Sequence, residues 1–168
     1  MTIETIVRPL SERPTFQAAQ QQRRDNELQF EVTANVLDLP TGSYRAEADA
    51  VHVFATDIDV LAAWLYEKRG HVTTHDTGYG VTVWTLHTTA GADPGVVGCR
   101  VLVSVPLVSG EPVMQEIRDV VMELQFAVAI GADERKWMRF RAREGAVACA
   151  ESYGLGVDYV REVLVDAS

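Results

Sequence analysis

Cysteine is nearly absent: Cys99 and Cys149, fifty positions apart in apolar surroundings, are the chain's two. That spacing excludes a disulfide framework and a zinc ligand set, and both are read as small buried residues. No apolar run approaches the roughly 18 residues of a membrane-spanning helix, and the opening MTIETIVRPLSERP lacks the basic-then-apolar order of a secretory signal. The expectation is a cytoplasmic protein with no membrane contact. Positive charge is scarce too, with 15 Lys and Arg against 24 Asp and Glu and a net charge of −9, so the whole surface cannot wrap nucleic acid. Linear catalytic signatures are missing: there is no Gly-x-Ser-x-Gly elbow, no phosphate-binding loop, no Gly-x-Gly-x-x-Gly after a strand, and no cysteine paired with a histidine in local order. A non-catalytic protein is expected, with no catalytic, cofactor or metal residues assigned.

What is present is ordinary globular material. The chain has 168 residues, 47% apolar and 23% charged, enough to bury about 70% of its unfolded surface. The stretch TFQAAQQQRRDNE after Pro14 is polar and helix-forming, so residues 1–27 are read as a partly helical arm. QFEVTANV at 29–36 alternates apolar and polar residues, the period of a half-buried strand, and a second strand runs through VHVFA at 51–55. TDIDVLAAWLYEKRG carries helix signals at both ends, with Thr56 as N-cap, Gly70 past a basic last turn, and Ile58, Leu61, Ala62 and Leu65 on one face. A hairpin about TGYG and the alternating run VVGCRVLVSVPL complete the pattern. The expected fold is α+β: an antiparallel sheet in the order β-β-α-β-β-β with one packed helix over 28–108, then a helical C-terminal segment over 110–168.

In that last segment Val113, Ile117, Val120, Val121, Leu124 and Val128 trace one helical stripe. A second helix starting at Asp133 places Met138, Ala142, Ala146, Cys149 and Tyr153 on another. The two stripes offer more apolar surface than one sheet face covers, and a homodimer is expected. GAVACAESYGLGVDYVREVL at 145–164 resembles a helix-turn-helix: Ala150 takes the small position, Gly154 the turn, Leu155 the next apolar residue, and Val160 and Val163 the anchors of a second helix. The resemblance implies DNA binding, but Asp158, Glu162 and Asp166 leave Arg161 as the only cation of that second helix. Affinity would then fall to Lys136, Arg139 and Arg143, aligned on the preceding helix, together with Arg161.

Function is therefore read as a regulatory or accessory protein binding DNA or a protein partner through Lys136, Arg139, Arg143 and Arg161. The alternative is a ligand-binding or enzymatic domain using the sheet face near Trp84, His75 and His87. His71 and His75 lie about 13 Å apart on a regular strand, too far for one metal ion. Asp76-Thr77-Gly78 repeats the aspartic-protease triplet, but it follows polar residues, has no second copy, and fits a hairpin turn.

Overall fold

A computed structural model describes residues 15–91, 98–132, 134 and 137–166. They form an α+β protein of two compact units, one ending at Val121 and the other beginning at Met122.

The first unit opens with α1 (Phe16–Val36), capped by the Thr15 hydroxyl, which accepts from the Ala18 amide at 3.3 Å. The polar run after Pro14 is thus helical, and the helix continues through the expected strand at 29–36. Its buried set is Asn26, Phe30, Thr33 and Ala34, a helical spacing, whereas Val32 and Val36 are 52% and 76% exposed. Polar side chains on α1 fasten it to distant backbone. Asn26 donates to the carbonyls of Glu47 and Ala48, Thr33 accepts from the Gly91 amide, and Gln29 accepts from the Cys99 amide. Those bonds hold the inner face of a largely exposed helix in place, where a lone buried amide would be costly.

Next come β1 (Ser43–Ala46), β2 (Val51–Phe54), α2 (Ile58–Lys68), β3 (His71–Asp76), β4 (Val81–Ala90) and β5 (Cys99–Val108). The expected order β-β-α-β-β-β is present, with its first strand at 43–46. Across the sheet the order is β1-β2-β5-β4-β3, and β2 pairs parallel to β5, so the sheet is mixed and not wholly antiparallel. Parallel pairing follows from the crossover: α2 carries the chain over one face before the β3-β4-β5 meander returns β5 alongside β2. The N-cap of α2 is Asp57, whose carboxylate accepts from the Asp59 amide at 2.9 Å, one residue beyond the expected Thr56. Past its end Gly70 has φ +132°, and a Cβ there would collide with the His87 carbonyl.

One face of this sheet, through Val51, Val53, Leu86, Val101, Val103 and Val105, packs with Phe30 of α1, Leu61 and Trp64 of α2, and Ile117 of the short α3 (Gln115–Arg118). After α3 the chain lies along β3, where the Val72 amide donates to the Val120 carbonyl. The helical stripe expected over 113–128 is therefore only one turn of helix, and its second half is a strand.

The second unit contains β6 (Met122–Val128), β7 (Met138–Phe140), α4 (Arg143–Ser152) and β8 (Val160–Asp166), in a sheet ordered β7-β6-β8 with both pairings antiparallel. Helix α4 packs Ala146 and Ala150 against Phe126, Val128, Phe140, Leu155 and Val160. The expected helix from 133 breaks into β7 and α4, and its N-cap Asp133 lies outside the described residues. Gly154 closes α4 in a helix-ending motif: at φ +70° its amide donates to Glu151, and the Leu155 amide donates to Ala150. A 3₁₀ turn (Val157–Tyr159) and β8 follow in place of a second helix. The helix-turn-helix resemblance therefore has no reading helix, and the C-terminal segment is not mainly helical. The paired helical stripes behind the expected homodimer do not form either. No helix among the described residues is long and apolar enough to cross a membrane.

Candidate functional site

Two surfaces gather chemistry-bearing side chains. The first uses the arginines of the second unit. Ala127, next to the end of the central strand β6, pairs with Arg139 of β7 on one side and Arg161 of β8 on the other. Two strand spacings of about 4.8 Å put the two arginine backbones roughly 10 Å apart. Phe126, Phe140 and Val160 face α4, so alternation sends Arg139 and Arg161 to the opposite face. Arg141, just past β7, joins that face and approaches the Glu123 carboxylate at 3.4 Å. Glu162 and Asp166 fall on the α4 side of β8, because they pair with Phe126 and Met122. The pleat thus sorts charge, leaving, among the described residues, three guanidiniums against one carboxylate on a single face of an acidic protein. Arg161 is braced by a 2.7 Å bond from its guanidinium to the Asp158 carbonyl.

This grouping differs from the expected ridge. Arg143 is the first residue of α4 and does not belong to the sheet face, and Lys136 lies outside the described residues. Arg141 belongs to the face but escapes a helical reading of 134–153. Its signal in the sequence is the alternation RFRAR, which has the period of a strand.

The second surface is the face of the five-stranded sheet opposite α1 and α2. Paired residues Arg45, His52, Leu102, His87 and His71 form one transverse row across all five strands. Two steps along, His75 shares this face. Trp84 does not: it pairs with Val105 and packs toward the helix-side core, so the expected grouping of Trp84 with His75 and His87 is split by the sheet.

His71 and His87 stack with ring centroids 4.7 Å apart and planes 7° from parallel. An Arg100 guanidinium nitrogen lies 3.3 Å from His87 Nδ1, and Thr73 Oγ1 lies 2.8 Å from His87 Nε2. Arginine only donates, so Nδ1 is the acceptor and the neutral ring carries its proton on Nε2, toward Thr73. Burial, with the His71 ring and Arg100 adding repulsion, lowers the His87 pKa to about 4. Burial and Arg100 lower that of His71 as well. Beside them Thr85 and Ser104 hydroxyls bond each other at 3.0 Å.

Asp76 and Thr77 serve the β3-β4 turn: Asp76 accepts from the Gly78 amide and Thr77 donates to the Val81 carbonyl. Among the described residues no three His, Cys, Asp or Glu side chains are placed to share a metal ion. Searches of protein-family models, curated proteins and solved structures return no match for this chain.

Proposed function

We propose that this chain is a non-catalytic regulatory or accessory protein that docks an anionic partner on the Arg139–Arg161 face of its C-terminal sheet. The observation behind this reading is the register that places both arginines about Ala127 while Glu162 and Asp166 turn the other way. The partner favoured is an acidic segment of another protein. A duplex extends its charge far beyond three arginines and would meet the repulsion of a chain whose net charge is −9. A short acidic segment meets only the local basic face.

The test is fluorescence anisotropy with a labelled acidic peptide and, separately, a mixed-sequence DNA duplex, each at low and moderate salt. The expected result is peptide binding that weakens with salt and is lost in the R139A/R161A double variant, whose circular dichroism stays that of the parent. Tighter binding of the duplex would transfer the face to nucleic acid, with a salt slope that falls by about two units in the double variant. Absence of binding to either probe at low salt would remove the reading.

A further inference from the structure

All four histidines of the chain, His52, His71, His75 and His87, stand on the open face of the five-stranded sheet. None of the residues that β1 to β5 turn to this face is Asp or Glu, although the chain carries 24 of them. Glu47, just past β1, is paired with Arg45. The strands thus keep negative charge off this face, and its centre is the group Arg100, His87, His71 and Thr73.

We propose that Arg100, His87, His71 and Thr73 form a binding site for a tetrahedral oxyanion, the chemistry of a phosphate monoester or sulfate group, taken up together with protons from solvent. Without an anion the cluster satisfies itself only while His87 is neutral, since Arg100 donates to Nδ1 and Nε2 donates to Thr73. A proton on Nδ1 removes that acceptor and sets two cations 3.3 Å apart beside the stacked His71 ring. An oxyanion at the edge of the stack reverses this balance. Arg100 turns its fork to the anion, His87 Nδ1 gains a proton and donates, and His71, one strand away, donates beside it. These donors come from three adjacent strands, a wider fan than the two oxygens of a planar carboxylate accept.

The charged groups acting on the rings are Arg100 from β5, which bears on both, and His71, which bears on His87. His52 shares their row one strand beyond Leu102, Arg45 lies past it in its pair with Glu47, and Lys68 at the end of α2 donates to the Gly91 carbonyl. Among the described residues that the five strands turn to this face, no carboxylate competes for the protonated rings. Binding is linked to proton uptake, so affinity rises as pH falls, by up to about tenfold per pH unit for each linked proton.

The experiment is an imidazole ¹⁵N NMR titration of the full chain with sodium sulfate at about pH 7 and about pH 5, where sulfate stays dianionic and histidine alone changes charge. The expected result is saturable movement of the His71 and His87 resonances, at least about tenfold tighter at the lower pH, with a raised His87 pKa in the bound form. R100Q should abolish the movement, and H52Q, in the same row but outside the cluster, should leave it intact. Methyl phosphate should reproduce the effect and acetate should not. Unmoved imidazoles, an affinity independent of pH, retention of binding in R100Q, or acetate binding as tightly as sulfate would each overturn the assignment.

Discussion

Phe30 of α1 lies flat against Trp64 of α2, ring planes 3° apart and centroids 5.4 Å apart, with both side chains sealed from solvent. The stack joins the two helices above the sheet, and Tyr44 of β1 closes on Phe30 at 4.7 Å. Phe30→Ala should cost about 3 to 5 kcal/mol, and Leu61→Ala, equally buried on α2, about 2 to 5 kcal/mol. Urea denaturation checks both, and a loss under about half a kcal/mol at either position would contradict this packing.

Acid should weaken the fold through His87. Its pKa is about 4 in the folded chain against 6.5 for a free ring, so between these values the unfolded state binds more protons. Stability from this ring is complete above about pH 6.5, falls as the pH drops toward 4, and is flat below. The change is on the order of 1 kcal/mol once solvent screening at a half-buried ring is allowed for. Urea midpoints measured across this range without added sulfate or phosphate should show the slope, and H87Q should reduce it.

Asn26 is buried with all its polar atoms engaged, donating to Glu47 and Ala48 and accepting from Gln22. Asn26→Leu keeps the branched outline of the side chain but leaves two carbonyls without their donor, at a cost of about 1 to 3 kcal/mol. Thermal melting of this variant beside Gln22→Ala, which removes only an exposed partner, separates the two contributions. A near-neutral Asn26→Leu would show that water replaces the amide.

Gly154 and Gly156 stand two residues apart with open space about each, yet only Gly154 has a positive φ. Gly154→Val should therefore destabilise the second unit by about 1 to 2 kcal/mol or more, whereas Gly156→Val, at φ −79°, should stay within about half a kcal/mol. Hydrogen exchange on β6 and β8 amides reads this unit separately. Equal effects would mean that the helix end is not held in its left-handed form.

Residues 51–108 are legible because pattern and partner agree there. Val101, Val103 and Val105 alternate and all point to the core, and the glycines of TGYG supply the positive φ values of the turn. QFEVTANV deceives because eight residues fit two periods: Phe30 and Ala34 are inward in both, and the burial of Thr33 with the outward position of Val32 and Val36 separates helix from strand. That distinction is decided by Phe30 meeting Trp64, a tertiary contact absent from local sequence. In VREVLVD the β-branched residues favour a strand, but Gly154 suggests a corner between helices until its bonds identify it as a helix end. Arg139 and Arg161 are legible as cations but not as neighbours, since the β6 register that joins them spans residues on both sides of α4.

The strand order has a consequence for synthesis. β5 sits between two hairpins, β1-β2 and β3-β4, yet it is the last of the five strands to be made, and Val53 meets its partner Val103 fifty positions later. A nascent chain that has not yet released residues 99–108 holds two ribbons with no strand pairing between them, and isolated ribbons are marginal in water. Arrival of the valine-rich β5 then joins the ribbons in a single long-range step. Such closure is slow relative to local folding, and until it happens the inner edges of β2 and β4 are open to other chains. Chaperone dependence and aggregation during expression should therefore track the interval before β5 emerges, and should respond to substitutions in 99–108 more than to equally buried positions in α2.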